Sequence, residues 1–329
     1  MPAEPTLSIR DLRVTFPTDS GDVQAVRGVD LDVFEGELVG IVGESGSGKS
    51  VSFLAVMGLL PKSARITGSA KVKGQELIGI GKKTLRRSRG KRIAMIFQDP
   101  LSALNPVHKV GVQITEMIHS HQDMSKDAAT VKAIELLDLV GIPQPKARAL
   151  QYPHEFSGGM RQRVMIAMAI ANDPEVLIAD EPTTALDVTV QAQILEVIQR
   201  IQKELNTAVV FITHDLGVVA RIADRVQVMY AGRATERGSV HDIFERPTHP
   251  YTQGLISSLP ALGRERLTPI PGAPPNMLRP PSGCAFRTRC TFAADVCAID
   301  PPPELKPWGT VETACVRVDE LNAVDEELV

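Results

Sequence analysis

The run Gly43-Glu44-Ser45-Gly46-Ser47-Gly48-Lys49-Ser50 satisfies the pattern G-x-x-x-x-G-K-[ST], a combination suited to holding a chain of phosphates. Backbone N–H groups can turn inward around phosphate oxygens only where the chain reaches conformations and close approaches that a Cβ would block, and the glycines allow this. Lys49 supplies a point charge for the β- and γ-phosphates, and the Ser50 hydroxyl a ligand for Mg2+. A helix starting here aims the positive end of its dipole at the same anion. The bland alternative is an ordinary glycine-rich turn, but a chance match to the full pattern in a chain this long is on the order of one in a hundred.

Such a site also needs a metal-orienting acid at the end of a buried strand, and Val176-Leu177-Ile178-Ala179-Asp180-Glu181 is an apolar run ending in two carboxylates. Asp180 would hold Mg2+, mostly through water, because that ion dehydrates reluctantly. Glu181 can then orient or deprotonate a water that attacks the γ-phosphate. Alone, an Asp-Glu strand end reads as a surface or capping pair; the phosphate loop upstream gives it a role.

The elements that must carry these residues are legible. Leu7 to Phe16 and Val29 to Val33 alternate apolar and polar residues, which predicts strands of a half-buried antiparallel sheet, joined by a loop over Pro17 to Gln24 that is long for a hairpin. Leu38 to Val42 reads as a buried strand feeding the phosphate loop, and Lys49 to Leu60 as the helix beyond it, with Phe53 and Val56 on one face. Helical periods follow over Ala128 to Val140, Gly158 to Ile170 and Val190 to Leu205. Val176 to Ala179, Ala208 to Thr213 and Arg225 to Tyr230 read as strands of a parallel sheet. Strands alternating with helices imply an α/β core.

The stretch Phe156-Ser157-Gly158-Gly159-Met160-Arg161-Gln162-Arg163 resembles the signature of ATP-binding cassette (ABC) ATPases, whose usual form begins Leu-Ser-Gly-Gly-Gln; Phe156 and Met160 depart from it. Its physics reads independently: Ser157 is placed as a helix N-cap, the glycines admit a phosphate to the backbone, and the helix points its dipole at an anion. The resemblance implies a RecA-like P-loop core with an antiparallel β subdomain and a helical subdomain over about residues 98–172, the cassette filling 1–250. It also implies that the Ser157-Gly158-Gly159 surface of one subunit closes on the phosphate loop of another. On the same resemblance Gly43 to Ser50 and Val51 bind ATP, with Ser50, Gln98 and Asp180 serving Mg2+. Gln98 looks like the glutamine that senses Mg2+ and the attacking water, Asp187 like the aspartate at the dimer seam, and His214 like the histidine that contacts the γ-phosphate. Phe16 sits where the family places an aromatic that stacks on adenine, with a place in the core as its alternative. Lys49, Gln98, Glu181 and His214 are thus the expected catalytic set. The segment Asp99 to Pro106 is expected to form a groove for a coupling helix of a membrane subunit.

The four cysteines, Cys284, Cys290, Cys297 and Cys315, all fall in the last part of the chain with spacing C-x5-C-x6-C-x17-C, which matches no common zinc framework. From chemistry alone a four-thiolate zinc site, an iron–sulfur cluster and unliganded thiols are all open. The run His249-Pro250-Tyr251-Thr252, then Ile270-Pro271-Gly272 and the cysteines, resembles the carboxy-terminal extension of oligopeptide/dipeptide ABC importers. That resemblance implies a [4Fe-4S] cluster on the four cysteines, with zinc as runner-up. The extension, 251–329, reads as irregular and Cys/Pro-rich from Pro260 to Pro307, and Asp319 to Val329 as a solvated acidic tail.

Composition narrows the partners. Across 329 residues, 36 basic and 39 acidic side chains leave a net charge of −3, and aromatics make up 4%, so neither bulk charge nor a stacking surface favours nucleic acid. The basic run from Lys82 to Arg92 could touch lipid headgroups, its alternative being a solvated helix face. No apolar run approaches the roughly 20 residues of a spanning helix, and the amino terminus does not read as a signal peptide. The resemblance implies a peripheral place on the cytoplasmic face of the membrane and ATP hydrolysis driving peptide import. The implied partners are a second ABC ATPase subunit, more often a related chain than a copy, two transmembrane permease subunits and an extracellular substrate-binding protein. A soluble repair or translation ATPase would usually carry tandem cassettes or a coiled-coil insertion, and a non-hydrolytic binding module would be expected to lack Glu181. The cargo, whether dipeptides, longer peptides, glutathione or nickel, is not encoded in these motifs.

Overall fold

The computed structural model describes residues 4–184, 186–259 and 269–322. In chain order it opens with β1 (Leu7–Thr18), β2 (Gly21–Val33), β3 (Leu38–Val42), α1 (Lys49–Val56), β4 (Arg65–Val72) and β5 (Gln75–Glu76). Next come α2 (Lys82–Ser88), β6 (Ile93–Ile96), α3 (Pro100–Ala103), α4 (Val110–His119), α5 (Lys126–Leu139), α6 (Pro145–Arg148) and α7 (Gly158–Ile170). Then follow β7 (Val176–Asp180), α8 (Val188–Leu205), β8 (Ala208–Ile212), α9 (Leu216–Ile222), β9 (Arg225–Tyr230) and β10 (Arg233–Ser239). The chain closes with α10 (Val240–Glu245), α11 (Pro250–Ser257), β11 (Lys306–Trp308), β12 (Val311–Thr313) and α12 (Val318–Asn322). Contacts divide it into two compact units.

One unit comprises the described parts of 1–8, 32–38 and 71–212. Its core strands β6, β7 and β8 are parallel and adjacent in that order, with Ile93 opposite Val176 and Val176 opposite Ala208. Every residue of all three is buried, as expected for parallel strands covered on both faces. Between β6 and β7 the chain makes only helices and turns, among them α5, capped by Ser125, and α7, whose Val164, Ile166 and Ile170 are fully buried. Burying each such side chain is worth about 2 kcal/mol. The basic run begins in the short helix α2, where Lys82, Lys83, Arg86 and Arg87 are exposed, while Arg92 beyond it turns in to donate to the Val72 carbonyl (3.1 Å).

The other unit comprises 9–31, 39–70 and the described part of 213–329. Its strands lie in the order β11-β12-β10-β9-β3. β3 runs parallel to β9, and β9, β10, β12 and β11 are joined antiparallel. Two expectations change here. The loop foreseen over Pro17 to Gln24 is strand on both sides of a tight turn at Asp19 and Ser20, where Thr18 donates its hydroxyl to the Gly21 carbonyl (2.7 Å). The hydrophobic step of three from Ile9 to Leu12 is absorbed at Asp11, whose φ of 43° lets both residues stay buried. The helix foreseen to Leu60 ends at Val56. Gly58, at φ 60°, donates to the Ala55 carbonyl and Leu59 to the Leu54 carbonyl, both at 2.9 Å; this left-handed stop satisfies the last carbonyls.

The Pro-rich stretch is not coil throughout. Lys306–Trp308 forms β11 at the sheet edge, where Pro307 costs no inner hydrogen bond. β12 extends the sheet onto β10, with Glu236 opposite Thr313. Residues 260–268 of that stretch, and 323–329 of the acidic tail, lie outside the described residues. The start of the tail is ordered: Trp308 Nε1 donates to Asp319 (2.9 Å), and Arg317 pairs with Glu320 (2.8 Å).

Candidate active site

The phosphate loop joins β3 to α1. Gly43, Gly46 and Gly48 adopt φ of 146°, 77° and 97°. A Cβ on Gly43 would stand 2.1 Å from the Met229 carbonyl oxygen, and one on Gly48 2.6 Å from that of Ala25, so backbone packing itself demands glycine at both. Lys49, 6% exposed, donates from Nζ to the carbonyls of Gly43 (2.7 Å) and Glu44 (2.9 Å). No side chain caps the start of α1, where a phosphate would meet backbone N–H groups.

Sequence reasoning did not foresee how this loop is anchored. Tyr251 accepts the Glu44 N–H at its phenolic oxygen (2.9 Å), and Arg289 grips the Glu44 carboxylate with both terminal nitrogens (2.7 and 3.0 Å). Glu236, fully buried on β10, accepts from the N–H and hydroxyl of Thr248 (2.6 and 2.7 Å) and from the His249 N–H (3.1 Å). His249 in turn caps α11 by accepting the Tyr251 N–H at Nδ1 (3.1 Å). This gives the His249-Pro250-Tyr251-Thr252 run its physical role: it seats Tyr251 against the loop. Burial holds the His249 imidazole neutral, with its pKa lowered to about 4. Burial raises the pKa of Glu236 and that of the Tyr251 phenol.

The acid pair ends β7. Asp180 is 8% exposed, and Glu181 takes a φ of 46°, which costs a residue with a Cβ about 1 kcal/mol. Its N–H donates to the Ile212 carbonyl (2.9 Å). The same carboxylate oxygen accepts from Gln98 Nε2 (3.2 Å) and from the Thr184 hydroxyl (2.9 Å), so Gln98 and Glu181 are brought together. The Thr184 hydroxyl, which sequence reasoning did not single out, is thus a second donor to that oxygen. Ser157 caps α7, accepting the Met160 N–H (3.3 Å), and Asp187 caps α8, accepting that of Val190 (3.0 Å). Gly158 has open space where a Cβ would stand, but on Gly159 it would meet Val190 at 2.5 Å, so helix packing by itself already favours glycine at this second position. His214 is exposed in a turn held by Thr213, whose N–H donates to the Ile41 carbonyl (3.2 Å), and by Asp215, which caps α9. Phe16 is half-buried on β1.

The ABC transporter family model matches residues 26–184, and the model of the oligopeptide/dipeptide transporter C-terminal region matches residues 235–297. The chain is 53% identical to the oligopeptide transport ATP-binding protein OppD of Bacillus subtilis over 91% of its own length and 85% of that protein's. With OppD of Salmonella typhimurium it shares 51% over 97% and 96% of the two chains. The chain belongs to the ABC transporter family. Its likeness to a dipeptide transport ATP-binding protein, DppD of Bacillus subtilis, is 54% over 89% of each chain. Among solved structures, the dimeric cassette MJ0796 bound to ADP and phosphate matches with a TM-score of 0.64 and 26% identity, over 71% of this chain and 98% of that one. The ABC cassette fold, ATP binding and ATP hydrolysis follow from membership.

The four cysteines of this ABC ATPase line one cavity together with Phe286, Phe292 and Leu321. Burial raises the pKa of the Cys284 and Cys290 thiols and pushes that of Cys315 up to about 11. Number and type of donor fit a thiolate-bound group. Their arrangement does not support one: among the described residues no group of three or more His, Cys, Asp or Glu side chains is set to hold a metal ion. The expected [4Fe-4S] cluster, and zinc with it, therefore gains no support from the geometry. No helix among the described residues is long and apolar enough to cross a membrane.

Proposed function

We propose that this chain is the ATP-hydrolysing subunit of a peptide importer, working from the cytoplasmic face of the membrane. It would be paired with a second ATPase subunit, two permease subunits and an extracellular peptide-binding protein. The observation that carries the cargo class is the roughly one-half identity to oligopeptide and dipeptide transport ATP-binding proteins over nearly the whole chain, including the extension matched as their C-terminal region. A related but different second ATPase is favoured over a copy. The cassette spans 1–250, with its helical part at about 98–172, and the extension 251–329.

In this reading Gly43 to Ser50 and Val51 bind the phosphates through inward N–H groups, with Lys49 exchanging its loop carbonyls for phosphate oxygens. Ser50, Gln98 and Asp180 are the residues that would serve Mg2+, which would supply charge neutralisation for the β- and γ-phosphates. Glu181 orients and deprotonates the attacking water, and Gln98 and Thr184 fix its carboxylate for that task. His214 contacts the γ-phosphate, and Phe16 stacks on adenine. Ser157, Gly158, Gly159 and Asp187 act on the partner's nucleotide across the dimer. A [4Fe-4S] cluster, with zinc as runner-up, would have to draw on the extension's four cysteines with some rearrangement of their side chains, and no step of turnover depends on it. Stoichiometric iron and sulfide with visible absorbance in anaerobically prepared protein would support the cluster, and a colourless, iron-free preparation would overturn it.

The transport reading is tested by reconstituting the chain with its partner ATPase and permeases in vesicles. ATP hydrolysis is expected to rise when peptide-loaded binding protein is supplied, and a complex indifferent to peptide would refute the cargo class.

A further inference from the structure

Glu44 is an acid on a loop built to hold several negative charges. Left unpaired, its carboxylate would oppose them across a poorly screened distance. Its side chain is a quarter exposed and that of Arg289, its partner, 5%. A guanidinium buried to that degree needs its charge and its donors satisfied. Besides the two bonds to Glu44, Arg289 donates from Nε to the Pro271 carbonyl (2.8 Å) and from Nη1 to the Tyr230 phenol (3.3 Å), and its guanidinium lies 5.8 Å from the Tyr230 ring centre. The bidentate fork is the strong form of such a pair.

Arg289 is carried on a rigid mount. It closes the short 3-10 turn Ala285–Thr288 between Cys284 and Cys290, donating its own N–H to the Phe286 carbonyl (2.9 Å). Phe286, 4% exposed, packs its ring edge-on against Tyr230 (5.3 Å between centres) and at a tilt against Tyr251 (5.3 Å). The two groups that hold Glu44, Tyr251 and Arg289, therefore share one aromatic cluster. The turn flanked by two of the four cysteines is the turn that reaches the phosphate loop.

We propose that Arg289 is a positioning residue of the nucleotide site: by neutralising and fixing Glu44 it holds the phosphate loop in the form that accepts MgATP. This makes the carboxy-terminal extension part of the ATP site. The proposal rests on reading Gly43 to Ser50 as that site, and the test separates the two. Equilibrium titration of the full chain with a fluorescent ATP analogue and Mg2+ compares wild type, Lys49→Ala, Arg289→Met, Arg289→Lys and the double variant Glu44→Gln/Arg289→Met. Arg289→Met is expected to weaken binding about tenfold, Arg289→Lys less, and the double variant to recover most of the loss because no unpaired acid remains. A double variant as weak as Arg289→Met would overturn the proposal, since a merely structural role for Arg289 is not relieved by removing the Glu44 charge. Wild-type affinity in Arg289→Met, with Lys49→Ala impaired, would overturn it while leaving the site intact. Unimpaired binding in Lys49→Ala would overturn the site reading and the proposal together.

Discussion

The phosphate loop and the acid loop both bend through left-handed backbone, but they reach it by different means. In the first, glycine occupies each such position, and Gly43 and Gly48 lie so close to neighbouring carbonyls that no side chain fits. In the second, Glu181 itself sits at φ 46°. A loop whose working groups are backbone N–H can dispense with side chains, whereas a loop whose working group is a carboxylate must keep one and bear the strain. Their supports differ in the same way. Glu181 is steadied by Thr184, three residues on, and by Gln98, while Glu44 is held from residues 251 and 289 of the extension.

The largest effect that would break this comparison is expected from Gly43→Ala. The added methyl meets the Met229 carbonyl and forces backbone movement, so unfolding stability is expected to fall by about 3 kcal/mol or more, read from denaturant midpoints. Gly46→Ala, with open space at its Cβ, is the control and is expected to cost only about 1 kcal/mol. Equal losses would mean that close packing does not dictate glycine at residue 43.

The extension's hold on the loop has an acid-side signature. His249 is neutral in the fold with its pKa near 4, against 6.5 in an exposed chain. Its contribution is complete above pH 6.5 and drains away as pH falls towards 4, because only the unfolded chain takes up the proton in that window; the upper bound is about 3 kcal/mol. Glu236 shifts upward, so its contribution is lost as pH rises and cannot supply this acid-side loss. His249→Asn keeps a cap for α11 but does not titrate. Its stability is expected to vary less than wild type between those pH values, and parallel profiles would remove His249 as the cause.

A smaller effect sharpens the acid loop. Thr184→Val removes a donor that lies nearer the Glu181 carboxylate (2.9 Å) than Gln98 does (3.2 Å). Steady-state turnover is expected to fall about tenfold with KM for ATP little changed, as for a hydrogen bond that matters only while water is being activated. A change in KM alone would place Thr184 in binding instead.

Much of this architecture was readable because short-range rules govern it. The glycine spacing of the phosphate loop, the N-cap at Ser157 and the apolar runs of β3, β7 and β9 each depend on neighbours a few residues away. The end of α1 was also marked locally, by Gly58, but the apolar Leu59 and Leu60 extended the helical pattern past it. What stayed hidden depends on long-range partners. No local pattern singles out Arg289, whose partner Glu44 lies 245 residues upstream, and β11 and β12 are short strands in Pro-rich sequence that become sheet only by joining β10. Thr184 carries no motif signal of its own, and only the turn it closes with Glu181 brings its hydroxyl to that carboxylate.

The most direct test of the division of labour between the two loops is to measure ATP-analogue binding and steady-state ATP hydrolysis side by side in Glu181→Gln. The glutamine keeps the shape and a hydrogen-bonding oxygen but cannot take a proton. The account predicts MgATP affinity within about threefold of wild type and turnover lowered at least about a hundredfold; turnover equal to wild type would contradict it.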